Sequence, residues 1–149
     1  AVFYARGVLE TVKKLRWTPD IIHCHGWISS IVPLFLKEAY QDEPTFQNAK
    51  IIFSAYDEMP QITPAENFPR AIAFRNVNLK KIAEKGIDLS KPESLGQLAA
   101  AYADGIIFST QNEELQHFAE NNGKEFIHCE GNKENVPNII DFYNKVCGE

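Results

Sequence analysis

The stretch Pro19-Asp20-Ile21-Ile22-His23-Cys24-His25-Gly26-Trp27 decides how this chain reads. Thr18 precedes a proline and is pushed away from helical geometry, so any helix upstream has to stop there. Ile21 to Cys24 is then a short apolar run led by β-branched residues. Such a run, bounded by breakers, predicts a strand buried on both faces rather than one with a wet side. Gly26 ends the strand and Trp27 opens a helix. Side chains alternate along a strand, so His23 and His25 share one side and Cys24 takes the other.

Upstream, Ala5, Val8, Leu9, Val12 and Leu15 recur at helical spacing and predict a helix over 2–16. Downstream, the helix opened by Trp27 presents Ile28, Ile31, Val32, Phe35 and Ala39 on one face. Three further apolar runs, with the first, place strands near 20–25, 50–55, 105–109 and 125–129. A weakly patterned excursion separates the second strand from the third, with one helix expected near 70–84. Ser90 with Glu93, and Thr110 with Glu113, have capping-box spacing and predict two more helix starts. Gly123 stands where the second of these helices needs a left-handed residue just past its end. Asp104-Gly105 reads as the turn into the third strand. A closing helix over 136–146 turns Ile139, Phe142, Tyr143 and Val146 inward.

Strands that alternate with helices, and that read as unbroken apolar runs, specify an α/β fold. The expected architecture is a Rossmann-like parallel sheet with helices on both faces, with residues 1–149 as a single α/β domain. Ligands of such sheets collect at the carboxyl ends of the strands. That rule selects 23–27, 54–57, 109–111 and 128–131.

Bulk properties exclude several classes. The net charge is −5 and the 15 Lys and Arg are scattered, so there is no basic face to neutralise a phosphate backbone, and no nucleic-acid partner is expected. No apolar run approaches the roughly 20 residues that span a bilayer, so no membrane partner is expected either. The three cysteines, Cys24, Cys129 and Cys147, form no CxxC pair and favour a reducing, cytoplasmic setting. The chain opens at Ala1 inside an amphipathic pattern, which leads to the expectation of an upstream segment.

His23-Cys24-His25-Gly26-Trp27 is the densest cluster of chemically capable side chains. Zinc would need three or four converging ligands and only two converge here, so no metal is expected. His23 reads equally well as a satisfied core histidine. His25, nearer the strand end, is the better ligand contact, and Trp27 is either a helix anchor or a platform for a sugar ring. Cys24 lies mid-strand, unlike the exposed, electropositive setting of a reactive thiol. No Gly-x-Ser-x-Gly elbow, phosphate loop or GxGxxG occurs, so no glycine-rich nucleotide site is expected. Asp57, at the end of the second strand, is a further candidate. Glu113-Glu114 sits in a helix first turn, where negative charge is stabilising without any function.

These residues resemble a known pattern. Residues 19–27, followed by Val32-Pro33-Leu34-Phe35-Leu36-Lys37, are similar to the PD(I/V)(I/V)HxHDW…P-x-x-LK stretch of glycogen and starch synthases, glycosyltransferase family 5. Ile52-Phe53-Ser54-Ala55-Tyr56-Asp57 resembles the family's (V/F)-F-T-(V/I)-H-N strand. Ala101 to Thr110 resembles its Y-x-A-D-x-(V/I)-x-x-V-S-P segment. Order and spacing agree over about 1–120, and the nearest look is that of short synthase-like proteins carrying only the N-terminal region.

The resemblance implies part of the N-terminal domain of a GT-B fold, two facing Rossmann-like domains that pass glucose from ADP-glucose to an α-1,4-glucan without metal or cofactor. It implies substrate contacts at His25, Trp27, Tyr56 and Asp57, with His25, Gly26, Tyr56 and Asp57 at family-matched catalytic positions. Departures accompany it: the family Asp is Gly26, the family His-Asn is Tyr56-Asp57, a family Lys is Gln97 and a family Pro is Thr110. Losing one charge-stabilising group costs about 2.7–4 kcal/mol of transition-state stabilisation. The expectation is therefore a synthase-type glucosyltransferase domain that is incomplete or degenerate as it stands. The alternative is a non-catalytic carbohydrate-binding, regulatory or scaffold domain. A sheet with an open edge is expected to pair with missing strands or with another copy.

Overall fold

The computed structural model describes residues 1–56 and 63–148. Its strands are Ile21–His25 (β1), Lys50–Ala55 (β2), Gly105–Phe108 (β3) and Glu125–His128 (β4). They pair in parallel in sequence order, with Cys24 beside Phe53, Phe53 beside Ile106 and Ile106 beside Phe126. Parallel neighbours need crossovers. Here they are the irregular helical run 27–39, which includes Val32–Leu34 (α2), between β1 and β2, several helices between β2 and β3, and Glu113–Asn121 (α6) between β3 and β4. Val2–Lys14 (α1) precedes the sheet and Val136–Cys147 (α7) follows it.

Alternation along the strands divides the core. On one face Cys24, Phe53, Ala55, Ile106 and Phe108 pack with Leu9 of α1, with Phe35, and with Leu98 and Ala99 of Ser94–Tyr102 (α5). On the other, Ile52 and Ile107 lie under Cys129 and Phe142, so α7 covers this side. Helices therefore lie on both faces, as the unbroken apolar strands require. Ala99, Ala100, Ala101 and Ala103 are all buried, which fits α5 to a close seat on the sheet.

Asp104 ties three pieces together at the amino end of β3. Its Oδ2 accepts the Ile51 backbone N–H at 2.8 Å, and Lys37 Nζ donates to both carboxylate oxygens at 2.9 and 3.1 Å. Gly105 is not a turn glycine. It has no positive φ, and a Cβ built there would lie 2.8 Å from both Phe142 Cζ and Val146 Cγ2. The missing side chain makes room for α7.

Local details depart from the sequence expectations. The helix expected near 70–84 is two helices, Phe68–Ile72 (α3) and Leu79–Glu84 (α4), with Arg75 at φ 51° between them. Asn78 caps α4 by accepting the Lys80 N–H at 2.9 Å. Neither capping box forms. Ser90 Oγ donates to Asp88 at 2.6 Å, and α5 begins four residues later without a side-chain cap. Asn112, not Thr110, caps α6, accepting the Leu115 N–H at 3.0 Å, because a short amide reaches a first-turn donor at least as well as threonine. Gly123 does take φ +65°, with Lys124 N–H to Ala119 O at 2.9 Å and Gly123 N–H to Glu120 O at 3.0 Å, a Schellman closure. Val8 and Leu15, expected on the inner face of α1, are exposed, as are Phe3, Trp17 and Ile28. Among the described residues, no helix is long and apolar enough to cross a membrane.

Candidate functional site

The carboxyl ends of β1 and β2 bring together two histidines, a serine and two tyrosines. His23 and His25 project from the same side of β1, and their rings stack with centroids 3.9 Å apart. His23 Nε2 lies 2.6 Å from Ser54 Oγ on β2. His23 Nδ1 hydrogen-bonds the hydroxyl of Tyr143, which α7 carries across from the far end of the chain. His25 Nδ1 lies 2.9 Å from the Tyr56 hydroxyl.

Both imidazoles are held neutral. Burial, with the neighbouring His25, lowers the His23 pKa from 6.5 to about 4, and burial lowers that of His25. Burial pushes the Tyr143 hydroxyl up, with Tyr56 adding to the effect, so this phenol is also neutral at ordinary pH. Among the described residues, no carboxylate or cationic side chain hydrogen-bonds to this cluster. It is a set of uncharged, partly fixed donors and acceptors.

Gly26 shapes the mouth. Its backbone sits at φ 71°, ψ 177°, a region essentially reserved for glycine. Its N–H donates to Ser54 O at 3.3 Å, and Ser29 Oγ donates to His25 O and Gly26 O at 2.9 and 3.0 Å. An aspartate at this position would have to change the strand–helix junction, not merely add a carboxylate. Trp27 follows, 39% exposed, which is free enough for a face or edge of its ring to meet a ligand.

The structure thus places His25, Gly26, Trp27 and Tyr56 at one end of neighbouring strands. Asp57 lies outside the described residues. Cys24 is buried on the opposite side and its thiol is pushed up to about 12 by burial, which leaves it unreactive. No group of three or more His, Cys, Asp or Glu among the described residues could hold a metal. A second hollow of about 370 Å³ opens at the ends of β3 and β4, lined by Ser109, Thr110, Gln111, His128 and Glu130 among others.

Two members of the cluster escaped the sequence reading. Ser54 was only part of a strand end, and Tyr143 only one of four inward residues of the last helix. The available signal was chemical: a tyrosine on a buried helix face needs a partner for its hydroxyl. Which partner it meets depends on how α7 crosses the sheet.

Residues 1–125 match the family model of the starch synthase catalytic domain. A glycogen synthase of Chlorobium limicola is 32% identical over 117 residues, covering 71% of this chain and 23% of the relative. A glycogen synthase of Chlorobium luteolum is 39% identical over 72 residues, 48% of this chain and 15% of the relative. That of Clostridium perfringens is 40% identical over 55 residues, 37% of this chain and 11% of the relative. The chain thus spans less than a quarter of the length of these relatives. No solved structure matches it.

Proposed function

The chain belongs to the starch synthase catalytic-domain family, and from that premise we propose that it forms a sugar-binding, N-terminal Rossmann-like part of a GT-B glucosyltransferase that does not complete transfer by itself. The substrates of the whole reaction are ADP-glucose and an α-1,4-glucan. The observation that carries this reading is the neutral cluster at the strand ends: His25 bonded to Tyr56, beside a half-exposed Trp27. Hydroxyl-rich, uncharged ligands match uncharged donors and acceptors next to an aromatic face. Transfer from a sugar nucleotide also develops charge, and charge calls for aimed dipoles or ions. Where the family pattern has Asp and His, this chain has Gly26 and Tyr56, and Gly26 carries no side chain at all.

Affinity electrophoresis in glycogen-containing gels tests the binding half. The wild-type chain is expected to be retarded, and Trp27→Ala to run as in a plain gel; equal mobility of wild type in both gels would remove the reading. Glucan-dependent ADP release from ADP-glucose tests the other half. None is expected from this chain, and steady release would overturn the claim that it is insufficient alone.

Two subsidiary readings go with this one. Among the described residues β1 has a strand neighbour on one side only, and this edge accepts a further strand from additional synthase polypeptide or from a second copy. Light scattering distinguishes them, since only the second gives a dimer of this chain. The free thiols of Cys24, Cys129 and Cys147 suit a cytoplasmic location.

A further inference from the structure

Tyr143 lies beyond the residues matched by the family model, yet it reaches into the site through His23. The direction of that contact follows from counting protons. A neutral imidazole has one N–H and one bare nitrogen, and both His23 nitrogens are engaged. Ser54 is buried, and His23 Nε2 is the partner of its hydroxyl. If Nε2 carried the proton, the Ser54 hydroxyl hydrogen would have no acceptor among the described residues, in a dry place where that is costly. The bonded arrangement is therefore Ser54 O–H donating to Nε2, with the proton on Nδ1. Nδ1–H then donates to the Tyr143 oxygen, and among the described residues the phenol's own hydrogen has no acceptor. Tyr143 is half-exposed, and its hydroxyl is close enough to Tyr56 for the two to influence each other electrostatically.

We propose that Tyr143 is a ligand-facing donor of this site, its oxygen fixed by His23 Nδ1–H and its hydrogen presented to a sugar oxygen. The chemical class of ligand is a neutral carbohydrate, and the proposal rests on the sugar-binding reading above. Ser54 acts through His23 as a positioning residue. It sets the tautomer that turns the Tyr143 hydrogen outward, although it is too buried to touch ligand.

Long-range proton–nitrogen NMR of the wild-type chain reads the tautomer directly. Nδ1–H on His23 is expected, and Nε2–H overturns the proposal. Maltoheptaose titration then reads the consequence. Tyr143→Phe is expected to weaken binding about three- to tenfold, the loss of one neutral hydrogen bond. Ser54→Ala frees Nε2 to take the proton and lets the phenol donate inward, so it weakens binding by a similar factor. The double variant is expected to be no weaker than the weaker single, because both changes remove one donor; multiplying effects would indicate two separate structural losses and overturn the coupling. Unfolding midpoints of all three variants identify any that fail to fold, in which case the wild-type tautomer decides. A wild type that binds maltoheptaose while Tyr143→Phe binds equally well refutes this proposal and leaves the sugar-binding reading standing. A wild type that does not bind removes both.

Discussion

Replacing Gly105 by alanine tests how α7 is seated, and with it the delivery of Tyr143. The added methyl would lie 2.8 Å from Phe142 Cζ and Val146 Cγ2 and 3.0 Å from Phe142 Cε1. Carbon atoms rest about 3.5–4.0 Å apart, so something must move by roughly 1 Å. Phe142 is buried and Val146, being β-branched, has little rotamer freedom on a helix, so the helix itself has to retreat. Overpacking of this kind costs about 1–3 kcal/mol, and the reduced freedom of the unfolded chain returns about 0.4–1 kcal/mol. The expected net loss is about 1–2 kcal/mol. With a urea slope of about 1–3 kcal/mol per molar, the midpoint falls by roughly 0.5–1 M. Phe142→Leu in the same chain should recover part of the loss by shortening the obstructing ring. An unchanged or raised midpoint for Gly105→Ala would refute the close seat of α7 on β3.

Further outcomes follow from the same contacts. His23 is neutral in the fold with a pKa near 4 and titrates at about 6.5 when unfolded. The unfolded chain therefore binds the extra proton between those values, so this contribution is complete above pH 6.5 and is lost as pH falls toward 4. The loss is about 1–2 kcal/mol for a half-buried ring, and His23→Gln should flatten that part of a stability–pH curve; an identical slope would refute it. Asp104→Ala strands the Ile51 N–H and frees Lys37, costing about 2 kcal/mol by chemical denaturation, whereas Asp104→Asn keeps an acceptor and should cost about half as much. Asn112→Ala should cost about 1 kcal/mol and Thr110→Ala close to nothing, the reverse of what a capping box at Thr110 requires.

Much of the fold was legible because periodicity reports burial. Ile21–His25, Lys50–Ala55 and Gly105–Phe108 are strands flanked by breakers, and their unbroken apolar character requires cover on both faces. The closing helix was legible from Ile139, Phe142, Tyr143 and Val146, which pack toward the sheet. Capping was not, because several short polar residues compete for the same first-turn donors. Asp88 took the Ser90 hydroxyl and Asn112 took the start of α6. Gly105 shows the same limit, since an Asp-Gly pair suggests a turn and only the neighbouring helix reveals the need for space.

For the site, the sequence by itself determined that His23 and His25 face one way at the end of β1, that Trp27 follows, and that the chain carries the starch synthase pattern. Alternation along a strand and order along the chain are local properties, and sequence records them. Only the tertiary structure decided that Tyr56 bonds His25, that Ser54 and Tyr143 hold opposite nitrogens of His23, and that the Gly26 backbone occupies a region closed to aspartate. Tyr143 is 120 residues from His23. Contacts across that separation depend on the register of β1 with β2 and on the crossing of α7 over the sheet, and no local pattern encodes either.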